Sequence, residues 1–316
     1  MTRYPLVEPF EQGVLETSDG HHVHWERVGS PDGKPAVVLH GGPGSGAAPW
    51  WRRYFDPDRY CVTLFDQRGC GRSRPLASDP DADLSTITTQ HLIEDIEALR
   101  ELHDVEQWLV FGGSWGSTLG LAYAVQHPTR VSEIVCWGAV TTTREEVDWL
   151  TWSMGEVFPE AFDSLRALVP ELLPGDNLPA AMHQLLMDPD PTVHHRAARA
   201  WCTWEDRLAA LTEAPTPNPR YDDESFRLGF ARLVTHFFGQ HAFLPPDGIS
   251  GHTDAIAHIP GVLVRGRTDI AAPLGVIWRL AQQLPRMTLH VIEGEDHSGA
   301  DLTDAILVRA TDDFAR

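Results

Sequence analysis

Positive charge is scarce in this chain: 25 lysines and arginines stand against 45 aspartates and glutamates, a formal net charge of −20 over 316 residues. That imbalance repels phosphate and so speaks against nucleic acid and anionic membrane surfaces as partners. Cysteine is rarer still. The four, Cys61, Cys70, Cys136 and Cys202, are scattered without the paired spacing of a metal site, and buried thiols are expected. The 16 histidines include no His-Glu-x-x-His, and His21, His22 and His24 fall in a strand-like segment whose side chains alternate between faces, so no metal is called for. Long apolar runs are also missing. No stretch reaches the roughly 18 residues of a membrane helix, and the opening MTRYPLVEPFEQG lacks the apolar centre of a signal peptide. A cytoplasmic location is the expectation. There is no internal repeat and no low-complexity tract. What remains is a globular composition, 42% hydrophobic and 22% charged, long enough for one large domain or a core with an insertion.

The stretch Leu109–Leu121, LVFGGSWGSTLGL, organises the rest. An apolar run breaks into small residues, presents one serine and resumes with helical character. Gly112-Gly113-Ser114-Trp115-Gly116 fits Gly-x-Ser-x-Gly, a turn whose strained serine needs flanking residues without side chains. The plainer reading is a glycine- and serine-rich strand-to-helix loop. The buried strand before it and the small-residue helix from Ser117 to Ala124 favour the nucleophile elbow.

Upstream, Ala36-Val-Val-Leu39 reads as a buried strand and leads into His40-Gly-Gly-Pro-Gly-Ser-Gly46. Two mechanisms compete for these letters. Gly42-x-Gly44-x-x-Ala47, with Asp66 ending the next strand about 20 residues on, satisfies a relaxed dinucleotide fingerprint and a nucleotide-dependent oxidoreductase. The rival is a loop whose glycines turn a backbone N–H towards an oxyanion. Pro43 offers no N–H to a pyrophosphate, and Pro49 and two tryptophans follow where a phosphate-binding helix should run. With the elbow downstream, the oxyanion loop is favoured. The N–H groups of Gly42 and Trp115 are the expected pair. Asp66-Gln-Arg-Gly-Cys-Gly-Arg-Ser73 reads as a tight turn whose buried Asp66 and Arg68 brace the loops of the site.

The wider pattern alternates strands and helices. A hairpin over Gly13–Val28 turns at Asp19-Gly20, an amphipathic helix runs from Thr88 to His103, and further strands lie at Cys61–Asp66, Trp108–Phe111 and Val131–Trp137. From Thr141 strands disappear and tryptophans cluster, with helices at Ala180–Leu186 and Thr192–Ala210. The alternation returns with strands at Gly261–Arg265 and Thr288–Ile292 around a helix at Leu274–Gln283. Such alternation implies a mostly parallel sheet covered on both faces, a core of residues 1–140 and 241–316, and a helical cap of 141–240.

A serine hydroxyl needs a base, and the base needs a carboxylate to orient it. Asp269 and His297 each lie just past a buried strand, in the chain order Ser, Asp, His, and so fall on the same sheet edge as Ser114. Asp254 lies in a polar loop, Asp296 adjoins the base, His258 precedes its strand, His290 is mid-strand and His236 belongs to the cap. Ser114, Asp269 and His297 are the expected triad, with no cofactor needed.

These blocks also carry a resemblance. EPFEQG, GKPAVVLHGGPGSG, FDQRGCGRS, GGSWGSTLGLAYA, HPTRV, WCTWED and GRTDI together resemble proline iminopeptidases of the α/β-hydrolase superfamily, over nearly the whole chain. The resemblance implies the α/β-hydrolase fold with a helical cap insertion, and cleavage of an N-terminal proline from a small peptide substrate. It implies that Glu205, in Trp201-Cys-Thr-Trp204-Glu205, binds the substrate's amino terminus, with Trp204 and Gly41 beside it. Four positions depart from the family: a second glutamate aligns with Val234, an arginine with Trp137, and aromatic residues with Val140 and Thr151. An esterase, amidase or tailoring hydrolase acting on a less basic acyl group is the alternative. A binding protein on a hydrolase scaffold is a further one, against which the intact triad argues.

Overall fold

The computed structural model describes residues 3–209, 211 and 217–316. The hairpin pairs β1 (Glu11–Glu16) with β2 (His22–Gly29) around a turn where Gly20 takes φ +91°. There follow β3 (Lys34–Leu39), β4 (Tyr60–Phe65), α1 (Thr89–Leu102), β5 (Trp108–Gly113), α2 (Trp115–Gln126) and β6 (Val131–Trp137). Thr88 caps α1 by accepting from the His91 N–H, which stops the apolar stripe of Leu92, Ile96 and Leu99 from starting earlier.

Five helices succeed β6: α3 (Arg144–Thr151), α4 (Pro159–Arg166), α5 (Leu178–Leu186), α6 (Pro191–Leu208) and α7 (Glu224–Gly239). The helix expected from Thr192 to Ala210 is α6, and Ala210 itself lies outside the described residues. The sheet then resumes with β7 (Gly261–Gly266), α8 (Leu274–Gln282) and β8 (Met287–Ile292), and the chain ends in α9 (Asp301–Phe314).

The eight strands run in the order β1-β2-β4-β3-β5-β6-β7-β8. From β4 to β8 every pairing is parallel, and only β1 and β2 are antiparallel to their neighbours. The period-2 alternation of strands divides the core between two faces. Val37, Leu39, Trp108, Val110, Ile134 and Leu263 join α1 and α2 on one side. Ala36, Val38, Leu109, Phe111, Val135 and Val264 meet Leu307 and Val308 of α9 on the other. Strands buried on both faces read as continuous apolar runs, which is how Ala36–Leu39 of β3 and Trp108–Phe111 of β5 appear in the sequence.

The helices α3 to α7 bury their own apolar cluster, including Met182, Trp201, Trp204, Leu228 and Val234. They are tied to the sheet-bearing part at several points. Arg232 Nη1 donates to the carbonyls of Ala77 and Asp79 at 2.9 and 3.1 Å, and the Trp149 indole donates to Ile270 O at 3.0 Å.

Candidate active site

Ser114 stands between β5 and α2 at φ 54°, ψ −123°, a region that side chains rarely adopt. The residues around it explain how the turn is tolerated. A Cβ on Gly112 would lie 2.3 Å from Gly116 O, and one on Gly116 would lie 1.9 Å from Leu39 O. Strand, turn and helix can meet only if both positions lack a side chain. The Ser114 N–H donates to Trp137 O at 2.8 Å, fixing the elbow to the end of β6.

His297 and Asp269, which follow β8 and β7, reach the serine as their positions past those strands predict. His297 Nε2 lies 3.0 Å from Ser114 Oγ, and Nδ1 lies 2.9 Å from Asp269 Oδ2. The Asp269 carboxylate is wholly buried and accepts the Ala271 N–H on Oδ1 at 3.0 Å. Arg265, also buried, brings Nε to 3.1 Å from Oδ2 and spends its other nitrogens on the carbonyls of Ala139, Asp269 and Ala272. Burial pushes the Asp269 carboxyl up, but the neighbouring His297 and Arg265 charges and the hydrogen bonds outweigh it and hold the group below its ordinary value. It is the anion that an imidazole N–H needs. Gly138, at φ +54°, packs against this arrangement: a Cβ there would come within 3.2 Å of the His297 ring.

The loop after β3 lies alongside. Gly42 takes φ +115°, and the Trp115 N–H, first in its helix, has no intrahelical carbonyl to bond. One residue braces both. Gln67 donates from Nε2 to His40 O at 3.0 Å and accepts the Trp115 indole N–H on Oε1 at 2.9 Å, while its own N–H donates to His40 Nε2 at 3.0 Å. Burial lowers the His40 pKa. The neutral ring accepts on Nε2 and donates from Nδ1 to Gly41 O at 2.9 Å.

Asp66 accepts the N–H groups of Ala47 and Arg72 and the Arg72 guanidinium, and is 2% exposed. A carboxylate so saturated has no capacity for a ribose hydroxyl, and a 3₁₀ turn over Pro49–Tyr54 replaces the helix that a pyrophosphate would require. The dinucleotide reading falls on both counts. Asp66 and Arg68 do brace the loops, but in separate networks, because Arg68 pairs with Asp95 and Asp19.

Ser114, His297, Gly41, Gly42, Trp115 and Glu205 open on one cavity of about 480 Å³, whose wall also includes residues of α3, α6 and α7. Burial pushes the Glu205 carboxyl up to about 7, against the Trp201 indole N–H donating to Oε1 at 3.0 Å and the nearby His297 charge.

The sequence pattern of the α/β-hydrolase fold matches residues 34–302. A probable proline iminopeptidase of Streptomyces coelicolor is 48% identical over 100% of this chain and 98% of its own length. A proline iminopeptidase of Arabidopsis thaliana is 41% identical over 94% and 77%. The chain belongs to the proline iminopeptidase family of α/β hydrolases. Among solved structures, a proline iminopeptidase-related protein from Thermus thermophilus superposes at a TM-score of 0.62 with 22% identity, over 98% of this chain and 96% of that one, a likeness of fold.

Within this proline iminopeptidase frame, two residues lie elsewhere than the resemblance implied. Trp204 does not line the cavity. Successive helical residues point about 100° apart, so turning Glu205 inward sends Trp204 into the helical core, where its indole donates to Leu150 O at 3.2 Å. Val234 is fully buried in that core, although Phe230 and Phe238, one turn to either side, line the cavity. Trp137 and Val140 line it too, and Thr151 is buried with Oγ1 bonded to Val147 O at 2.7 Å. Gln67, Gly138 and Arg265 escaped the reading of the sequence. Gln67 sits inside the FDQRGCGRS block and was detectable there; the other two have no local signature.

Among the described residues no helix is long and apolar enough to cross a membrane.

Proposed function

We propose that this chain is a serine aminopeptidase that releases an N-terminal proline, or a similar residue, from small peptides through an acyl-enzyme. The observation that carries this reading is the unbroken line of contacts from Asp269 through His297 to Ser114, opening on a cavity that also holds Glu205. Ser114 Oγ attacks the carbonyl carbon of the first residue while its proton passes to His297 Nε2. The developing oxyanion takes the N–H groups of Gly42 and Trp115. Collapse breaks the C–N bond, and the leaving amine receives the proton held by His297. Water then attacks the acyl-enzyme with His297 again as base, freeing the amino acid.

Glu205 gives the site its preference for a free amino terminus. Poised at about 7, it ionises readily when an ammonium group enters, and the pair forms in a desolvated site where each charge compensates the other. In this reading residues 1–140 and 241–316 form the hydrolase core and 141–240 a cap that shapes the acyl pocket. An esterase or amidase acting on a less basic acyl group is the second reading, favoured by the apolar Val140 and Trp137 in the cavity wall and by valine at position 234. A panel of aminoacyl-arylamides and simple esters, each with free and blocked amino termini, separates the two. Prolyl-arylamide turnover that vanishes on N-blocking is expected; equal rates with and without the block would overturn the aminopeptidase reading.

A further inference from the structure

Arg220 is the one lysine or arginine among the described residues that line the cavity. It lies in a 3₁₀ turn, Pro219–Asp222, of the helical region and lines the cavity that holds Ser114. Its Nη2 donates to Ser45 O at 2.5 Å, and its guanidinium carbon lies 3.8 Å from the centre of the Phe226 ring. Among the described residues no carboxylate pairs with it. The acids that share the cavity are otherwise engaged: Glu205 holds the Trp201 indole, Asp206 accepts the Asn218 N–H at 3.0 Å, and Glu146 collects the N–H and hydroxyl groups of Thr141 and Thr143. The guanidinium is exposed to solvent, and the Asp66 charge acts on it without pairing with it. Five N–H donors with one committed to Ser45, held in plane by an aromatic face, make a fork suited to a carboxylate.

Its position along the cavity decides which carboxylate. Glu205 is close enough to His297 for their charges to interact, so the amino end of a substrate is directed there. Arg220 is instead anchored to Ser45, three residues beyond Gly42 on the oxyanion loop, whose N–H folds back on Gly41 O at 3.2 Å. We infer that Arg220 forms a carboxylate subsite on the leaving-group side of the cavity, and that the preferred substrates are peptides of two or three residues whose C-terminal carboxylate reaches it. This rests on the aminopeptidase reading. An extended residue spans about 3.5 Å, so the carboxylate of a dipeptide or tripeptide lies within roughly 10 Å of the scissile bond, whereas a longer chain carries its terminus out of the cavity.

The test compares kcat/KM for Pro-Gly and Pro-Gly-amide, with prolyl-arylamide as the substrate that lacks the carboxylate. The wild type favours the free acid by about three- to tenfold, the range of a partly exposed ion pair. Arg220→Gln brings the acid-to-amide ratio to about one, and Arg220→Lys keeps part of the preference. Each ratio is internal to one variant, so a change in fold or overall rate cancels. Turnover of prolyl-arylamide with a wild-type acid-to-amide ratio near one, or a ratio unaltered by Arg220→Gln, overturns the subsite alone. Failure of the wild type to cleave prolyl-arylamide would remove the aminopeptidase reading, and the subsite with it.

Discussion

Gln67 Oε1 accepts the indole N–H of Trp115 at 2.9 Å, and the same carboxamide donates to His40 O at 3.0 Å. One buried side chain thus spans the two backbone segments from which the proposed oxyanion donors are drawn. Gln67→Leu leaves a buried indole N–H and a buried carbonyl unpaired, each costing about 1–3 kcal/mol, and lets the segments drift apart. We expect kcat to fall about 10- to 100-fold with KM changed far less, because the donors act on the transition state. Steady-state kinetics on prolyl-arylamide check this; an equal effect on both constants would point to general loosening of the fold.

Ser114→Ala is expected to reduce turnover by several orders of magnitude while the protein keeps its thermal midpoint, since in the proposed mechanism the hydroxyl supplies the attacking atom and contributes little packing. Retention of a tenth of the wild-type rate would remove Ser114 as nucleophile. Labelling by a fluorophosphonate, lost in the variant, is the direct assay.

In the proposed function Glu205 couples specificity to pH. Glu205→Gln should lower kcat/KM for substrates with a free amino terminus roughly 100-fold and spare a small uncharged ester. Its folded carboxyl is pushed up to about 7 from an ordinary value of 4.5. The protonated form is therefore favoured by folding. That contribution is fully present below the unfolded value and is lost as pH rises through about 7, so the wild type weakens over this window. The neutral amide does not titrate, and we expect the variant to match the wild type near pH 4.5 and exceed it by about 1–3 kcal/mol at pH 8. Urea unfolding at the two pH values measures the difference.

Val234→Glu tests the missing second carboxylate. Since Val234 is wholly buried among apolar side chains, the new carboxyl is expected to destabilise the protein by about 3 kcal/mol and to remain protonated at neutral pH. Improved turnover of prolyl-arylamide with no loss of stability would show that the side chain swings into the cavity.

The contact line from Asp269 through His297 to Ser114 was legible because each member has a local signature. Ser114 has its flanking glycines, and Asp269 and His297 each follow an apolar strand in a chain whose alternation fixes the sheet edge. The parallel strands were legible for the same reason, since burial on both faces leaves uninterrupted apolar runs such as Ala36–Leu39. The pocket was less so. Whether Glu205 or Trp204 faces the substrate depends on the rotation of α6 against its neighbours, and the burial of Val234 between two cavity-lining phenylalanines depends on the tilt of α7; sequence spacing records neither. Arg265 and Gly138 act through contacts with residues distant in the chain. Helix α9 has no proline and no side-chain cap at its start to mark it.

Ser114 and His297 are 183 residues apart in the chain, and all the helices from α3 to α7 are interposed between the paired strands β6 and β7. During synthesis the elbow emerges early and waits for a partner that arrives only with the last strand-to-helix loop. Closing so long a loop is a late, entropically opposed event, and contacts of such separation slow folding. Catalytic activity regained on dilution from denaturant should therefore lag behind the recovery of helical signal, making hydrolysis itself the reporter of the final docking step.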